Sequence, residues 1–361
     1  MKPIQRVTFL INRISASGGA ERVMTVLANQ FVMRGIETTI ITRQETDCVY
    51  PLDSRVKVFS TAVSCSNKLV RNAKRNMMLR KLIVESNPDV VISFMTSMNI
   101  QAAMFMLGLT YPLIVSERNN PETDISKRDK FFVKLLYPKC QGFVFQTEDA
   151  KLWFSDKIQR KSTIICNPIS DNLPERKPAI KGKIVNVARL AKQKNQRMLI
   201  DAFKAYHAKN EISTLTIYGS GPEEEALRNY IAECGLSDCV TLAGFCKNVM
   251  EAISDAELFV LSSDYEGMPN ALIEAMGIGI ACISTDCPCG GPRCLIENNK
   301  NGVLVEVNNA DQMAKAMESV LSDDNWRAEM ERESKKLRES LDASSIAEQW
   351  LSYCQTVLGK E

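Results

Sequence analysis

Two doubly wound α/β domains are predicted for this chain of 361 residues, and three observations predict them. Short β-branched runs alternate with helix-forming stretches from residue 6 to residue 166, the pattern of a parallel sheet covered on both faces. The alternation restarts at Lys183. Between the two runs, residues 167–182 carry three prolines and no apolar periodicity, which marks an interdomain linker. The expected domains are 1–166 and 183–340, two Rossmann-like units facing across a cleft, with 341–361 a terminal helix crossing back to the first.

In the first domain, strand-like runs fall at Arg6–Ile11, Glu37–Thr42, Asp89–Phe94, Pro112–Glu117, Gly142–Gln146 and Ser162–Cys166. Helical stretches fall near Gly19–Met33, Lys68–Glu85, Ser97–Leu107, Ser126–Tyr137 and Glu148–Ile158. In the second, strands are expected at Lys183–Val187, Thr214–Tyr218, Cys239–Leu242, Glu257–Ser262 and Ile280–Thr285, and helices at Gln196–Tyr206, Glu223–Cys234 and Val249–Ser254. Ala310–Leu358 reads as a final helical segment.

Composition excludes several classes of function. No stretch approaches the ~20 uninterrupted apolar residues of a spanning helix, and Met1–Leu10 lacks a signal-peptide apolar region, so a cytoplasmic location is expected. The twelve cysteines show no framework spacing, and reduced thiols are expected. Cys287, Cys289 and Cys294 cluster without the C-x2-C pairs of a zinc module. The single histidine, His207, rules out a multi-histidine metal centre and leaves little room for a histidine-based triad. Residues 1–180 hold 26 lysines and arginines against 16 acids, and residues 181–361 hold 19 against 27, giving +10 and −8. The basic half suits an anionic surface or phosphorylated acceptor, and the acidic half is poorly suited to nucleic acid.

The most informative stretch runs from Asp264 to Met276, with Glu266 and Glu274 spanning a loop-to-helix junction. Gly267 frees the backbone, Pro269 suits a first helical position, and Ala271–Met276 form helix readily. The positive end of that helix favours an anionic diphosphate, which a carboxylate beside it would repel, so Glu266 is expected to face neutral sugar hydroxyls. Glu274 lies roughly 7 Å further along, within reach of a second polyol such as ribose. Arg189 and Lys194 flank the loop after the first strand of the second domain and place two cations against the diphosphate. No Asp-x-Asp occurs, so these cations, rather than a bridging metal, are expected to stabilise the leaving group, with no cofactor. The loops containing Ser17-Gly18-Gly19 and Gly219-Ser220-Gly221 follow strands but lack the third glycine of a dinucleotide fingerprint.

The ordered set Ser17-Gly18-Gly19-Ala20-Glu21, Ala188-Arg189-Leu190 with Lys194-Asn195, Gly219-Ser220-Gly221-Pro222-Glu223, and Glu266-Gly267-Met268-Pro269 through Glu274 resembles the large family 4 of retaining GT-B glycosyltransferases. The resemblance spans almost the whole chain. It implies that Arg189 and Lys194 hold the donor diphosphate, that Glu266 contacts the transferred sugar and Glu274 the ribose, and that Gly267, Met268, Pro269, Asn270, Ala271 and Leu272 line sugar and phosphate. Arg189, Lys194 and Glu266 are the residues it makes catalytic, in a metal-independent front-face displacement. Ser17, Gly18 and Gly19 would lie against the acceptor or the phosphates. Many members carry a histidine after the fifth strand of the first domain. Here Glu117-Arg118 occupies that place, and only the location carries over.

Lys68, Arg71, Lys74, Arg75 and Lys81 fall on one arc of a helical wheel, with Leu69, Val70, Ala73, Met77 and Val84 on the next. Such a helix reads as a membrane-surface or lipid-diphosphate element, and Lys127, Lys130 and Lys134 add a second basic stripe. The expected partners are a UDP-sugar, a polyprenyl-diphosphate-linked saccharide and the inner face of the cytoplasmic membrane, as in O-antigen, capsule or glycan-precursor assembly. The alternatives are a sugar-nucleotide 2-epimerase of the same fold and a non-catalytic nucleotide-sugar- or membrane-binding subunit.

Overall fold

The computed structural model describes residues 3–15, 18–44 and 46–359, which divide into two compact units. Unit one comprises the chain up to Pro168 and again from Ala343. It contains β1 (Arg6–Ile11), α1 (Gly19–Met33), β2 (Glu37–Thr42), β3 (Lys57–Ser60), α2 (Lys68–Ser86), β4 (Val90–Phe94), α3 (Thr96–Phe105) and β5 (Leu113–Ser116). Then follow α4 (Pro121–Asp124), α5 (Lys127–Leu136), β6 (Gly142–Phe145), α6 (Glu148–Leu152), α7 (Asp156–Gln159) and β7 (Ser162–Ile164). The parallel sheet has the order β3-β2-β1-β4-β5-β6-β7. Its direction of winding reverses between β1 and β4, so the loops after these strands border the crevice where doubly wound sheets take ligands. Asn12 after β1 donates to Ser97 Oγ after β4 at 2.7 Å and ties those loops together.

Unit two, Ile169–Asp342, contains β8 (Ile180–Val187), α8 (Gln196–His207), β9 (Thr214–Tyr218), α9 (Glu224–Glu233), β10 (Val240–Gly244), α10 (Val249–Ile253), β11 (Ala256–Leu261) and α11 (Asn270–Ile278). It continues with β12 (Ala281–Thr285), α12 (Gly291–Leu295), β13 (Val303–Val305), α13 (Ala310–Ser322), α14 (Asp324–Lys335) and α15 (Leu337–Ser340). Its parallel sheet runs β10-β9-β8-β11-β12-β13, and the winding reverses between β8 and β11. Both faces are packed, which is why every residue of β11 and β12 is buried and both strands are mostly apolar, with Glu257, Ser284 and Thr285 the polar exceptions.

The last helix, α16 (Ala343–Leu358), belongs to unit one. Trp350 is fully buried and stacks on Phe94 with ring centroids 5.7 Å apart, extending the Phe9–Phe31–Phe94 cluster. The Tyr353 hydroxyl accepts the Phe143 N–H at 2.9 Å and donates to the Lys161 carbonyl. Gly142 is required there, since a Cβ would lie 2.8 Å from that hydroxyl.

The proline-bearing stretch expected as a linker instead packs along unit two. The Arg176 guanidinium donates to Ser254 O at 2.7 Å and pairs with Glu331 at 3.0 Å, and the Ile180 N–H reaches Asp255 O at 2.8 Å. The final helical segment is broken at Asp323, Lys336 and Leu341–Asp342. At the first break the Asp323 side chain accepts the Trp326 N–H and starts a new helix.

Candidate active site

In unit two the loops after β8 and β11 meet at the reversal of the sheet. Asp264 N–H donates to Gln193 O at 2.8 Å, Gln193 Nε2 returns a bond to Tyr265 O at 2.8 Å, and Asn195 Nδ2 reaches Asp264 Oδ1 at 2.7 Å. Ser262 Oγ donates to Lys194 O at 2.8 Å. This lattice brings the Lys194 ammonium against Glu266 Oε1, which also accepts Ser263 Oγ at 2.6 Å. The Glu266 side chain is only 8% exposed and that of Lys194 18%, so the pair sits in an environment where charge is weakly screened. The sequence supplies both residues but not their contact. Ser263 and Gln193 carry no signal beyond their place beside Glu266 and Lys194.

Arg189 is exposed at the mouth of the β8 loop, its carbonyl held by Gln196 Nε2 at 3.0 Å. The loop after β9 closes on it from below. A Cβ on Gly219, at φ +137°, would meet Ala188 O at 2.0 Å, and one on Gly221 would meet Leu190 O at 2.2 Å. The glycines of that loop thus serve close backbone packing under Arg189.

The stretch that follows Glu266 is braced by the turn after β12. Glu266 N–H donates to Pro288 O at 2.6 Å, Cys289 N–H returns a bond to Glu266 O at 2.9 Å, and Gly291 packs so closely on Gly267 O that a Cβ would lie 1.9 Å from it. Gly267, Met268 and Pro269 are buried. Pro269, expected as the first helical residue, is the capping residue of α11 instead, at φ −79° and ψ 104°, and its carbonyl accepts the N–H groups of Leu272 and Ile273. On α11, Asn270, Ala271 and Glu274 form a partly exposed stripe while Leu272 and Ile273 point into the core. Unit two therefore places the exposed Arg189, the Lys194–Glu266 ion pair and the start of the nine-residue α11 at the carboxyl edge of one sheet. Burial and the nearby Glu266 carboxylate push the Cys287 thiol up to about 12, so Cys287 is an inert packing group. All twelve cysteines are free thiols, and no group of three or more metal-binding side chains converges among the described residues.

In unit one Gly18 caps α1 and Gly19 opens it, on the loop after β1, whereas Ser17 lies outside the described residues. Glu117 and Arg118 follow β5, but both side chains turn inward. Glu117 is 3% exposed and accepts Thr96 Oγ1 at 2.7 Å, Asn99 Nδ2 at 3.1 Å and the Tyr137 hydroxyl. Burial outweighs these bonds and raises its carboxyl to about 7. The Arg118 guanidinium donates to Asn167 Oδ1, lies 4.8 Å over the Phe94 ring, and is pushed down to about 9 by burial. These two residues anchor the β5 loop rather than lining an open surface.

The basic helix also differs from its wheel. Lys68, Lys74 and Lys81 are exposed, but Arg71 and Arg75 are half-buried. Arg71 Nη1 donates to Cys65 O at 3.2 Å. Burial, with the nearby Arg75 charge adding to it, lowers the Arg43 guanidinium below its usual range. Only Leu79 and Ile83 of α2 are buried, while Leu69 and Met77 are 81% and 65% exposed. On α5, Phe131 and Leu135 are exposed among Lys127, Lys130 and Lys134. No helix among the described residues is long and apolar enough to cross a membrane.

Comparison with known proteins fits this geometry. The family model described as glycosyl transferases group 1 matches residues 173–337, and that of glycosyltransferase family 4 matches residues 17–173. The chain is 30% identical to the Campylobacter jejuni GalNAc-alpha-(1->4)-GalNAc-alpha-(1->3)-diNAcBac-PP-undecaprenol alpha-1,4-N-acetyl-D-galactosaminyltransferase, over 96% of this chain and 98% of the relative. It is 27% identical to the Escherichia coli UDP-Gal:alpha-D-GlcNAc-diphosphoundecaprenol alpha-1,3-galactosyltransferase, over 75% and 76% of the two chains. The fold matches Anabaena HepE, solved with UDP and glucose, with a TM-score of 0.82 at 18% identity, covering 97% of this chain and 99% of HepE. The chain belongs to glycosyltransferase family 4 and has the GT-B architecture.

Proposed function

We propose that the protein moves a hexose or N-acetylhexosamine from a UDP-sugar to a polyprenyl-diphosphate-linked saccharide, with retention of anomeric configuration and without a metal, in the assembly of a bacterial surface polysaccharide or glycan precursor. The observation that carries this reading is the Lys194–Glu266 pair, with Lys194 on the loop after β8 that also carries Arg189, at the carboxyl edge of the sheet of unit two. Arg189, Lys194 and the start of α11 supply positive charge where the departing diphosphate gains negative charge. One oxygen of Glu266 is held by Lys194 and Ser263, and the other accepts a hydroxyl of the transferred sugar. Glu274 reaches the ribose. In the front-face step the acceptor oxygen bonds to the anomeric carbon as the bond to the diphosphate oxygen breaks on the same face, and that oxygen takes the acceptor proton. Positioning, rather than an enzymic base, then carries the rate.

Unit one takes the acceptor. Gly18 and Gly19 face the saccharide, the neighbouring Arg43 and Arg75 attract the lipid diphosphate, and the exposed apolar residues of α2 and α5 rest on the inner membrane surface among their lysines. The undecaprenol-diphosphate acceptors in the names of the Campylobacter and Escherichia relatives support a lipid-linked acceptor, and the UDP seen with HepE supports the donor. Incubation with a panel of UDP-sugars and a synthetic polyprenyl-diphosphate-linked acceptor tests the reading. The expected product is extended by one sugar with the donor's anomeric configuration, in the presence of EDTA. An inverted product, or activity abolished by EDTA and restored by a divalent metal, contradicts the mechanism.

A further inference from the structure

Among the described residues, five that are not glycine have a positive φ, and four of them are asparagines, whose short side chain tolerates that conformation. The fifth is Met95, at φ +77° and ψ 135°, outside the left-handed helical well. It joins β4 to α3 as the capping residue of the helix. Its own backbone bonds and a buried network hold it there. Met95 N–H donates to Ser116 O at 3.2 Å, and its carbonyl accepts the N–H groups of Met98 and Asn99 at 3.0 and 2.9 Å. Thr96 Oγ1 and Asn99 Nδ2 both bond to the Glu117 carboxyl, and Asn99 Nδ2 also reaches Ser116 O at 2.9 Å. The buried Glu117 thereby braces the turn that carries Met95. A glycine would make the same turn without strain, so what methionine adds is its side chain.

The place of this turn matters as much as its strain. Leu10 of β1 pairs with Ser93 of β4, so Asn12 and Met95, each two residues further on, stand side by side where the first sheet reverses its winding. That is the crevice in which doubly wound sheets take ligands. Met95 is only half-buried, and its neighbours Asn12 and Ser97 are neutral hydrogen-bonding groups, linked to each other at 2.7 Å. A flexible apolar side chain beside neutral polar groups matches a saccharide, which offers C–H faces as well as hydroxyls, better than it matches a phosphate. We infer that Met95 is a specificity-determining contact for the acceptor sugar, packing on its C–H face while Asn12 and Ser97 exchange hydrogen bonds with its hydroxyls, an inference that rests on the reading of unit one as the acceptor unit.

Transfer by the full chain from UDP-sugars to a synthetic polyprenyl-diphosphate-linked saccharide tests this, with wild type, Met95→Gly, Met95→Ala and Met95→Leu compared for acceptor KM, UDP affinity and melting temperature. Met95→Gly is expected to melt no lower than wild type, because it releases the turn, and yet to raise the acceptor KM about tenfold. Met95→Ala, which keeps the strained Cβ and loses the thioether, should raise the acceptor KM by a similar factor. Met95→Leu, which restores an apolar side chain of similar volume, should keep it near the wild-type value. UDP affinity should be the same in all four proteins. A wild-type acceptor KM in both Met95→Gly and Met95→Ala overturns the contact while the acceptor reading of unit one stands. Failure of the wild-type protein to transfer sugar to the lipid-linked saccharide, with UDP still bound, removes the acceptor reading and this inference with it.

Discussion

Lys194 and Glu266, 72 residues apart in the chain, form an ion pair at the reversal of the second sheet, and Ser263 completes the coordination of the same carboxylate oxygen. Both contacts fall on one oxygen of Glu266; in the proposed mechanism Lys194 faces the donor diphosphate and the second oxygen of Glu266 takes a sugar hydroxyl.

Lys194→Ala is therefore expected to do two things. It removes charge stabilisation of the leaving group, lowering kcat/KM by roughly 10²-fold or more. It also leaves Glu266 buried without its counter-ion, at a cost of about 3–5 kcal/mol in unfolding free energy. Chemical denaturation and steady-state kinetics measure the two effects separately. Lys194→Ala with Glu266→Gln should recover most of the stability and none of the rate.

Gly219→Ala should lose nucleotide binding through geometry rather than charge. The new methyl would stand 2.0 Å from Ala188 O at a φ of +137°, displacing the loop that carries Arg189. A destabilisation of at least about 1–3 kcal/mol is expected, with UDP affinity reduced alongside. Unchanged UDP affinity in calorimetry contradicts the loop-packing account.

Glu117 predicts a pH dependence of stability. Its carboxyl rises from 4.5 in the unfolded chain to about 7 in the fold, so the native state holds the proton more tightly. Stability accordingly falls as pH rises from 4.5 through about 7, and the loss is complete above that range. Glu117→Gln should flatten that part of the stability curve and gain on the order of 1–3 kcal/mol relative to the parent at pH 8. Urea titrations at pH 5 and pH 8 check this, and a parent more stable at pH 8 with no flattening in the variant contradicts it.

Much of the fold is legible in the sequence because both sheets are parallel and buried on both faces, so runs such as Phe9–Ile11 and Phe259–Leu261 stand out as apolar. What escapes is short or marginal. Lys57–Ser60 is a four-residue edge strand with alternating exposure, Val303–Val305 has three residues, and Gly291–Leu295 is a single turn opened by Gly-Pro. The segment at 167–182 reads as a linker because prolines mask packing made by its backbone and by Arg176. In the proposed site, Arg189, Lys194, Glu266 and Glu274 stand out in the sequence by charge and spacing. The Lys194–Glu266 contact is not, since a pairing across 72 residues leaves no local signal. Arg71 and Arg75 show the limit of the helical wheel, which groups charges by angle and cannot tell an exposed lysine from an arginine folded back on Cys65 or set beside Arg43.

The surface of α2 carries the membrane prediction. Leu69 and Met77 are exposed, so replacing both with Asp should leave the melting temperature within about 2 °C. Partition onto vesicles containing anionic lipid should fall about tenfold or more. Equal partition of parent and variant in a flotation assay contradicts docking through this helix.

The most direct test of the donor-site assignment is single-turnover transfer from a radiolabelled UDP-sugar to a polyprenyl-diphosphate-linked saccharide, comparing the parent with Arg189→Ala and Lys194→Ala. The expected result is a labelled lipid-linked product from the parent in EDTA and a loss of roughly 10²-fold or more in rate for each variant with the fold intact. Parent-like rates in both variants contradict the assignment of these two cations to the leaving diphosphate.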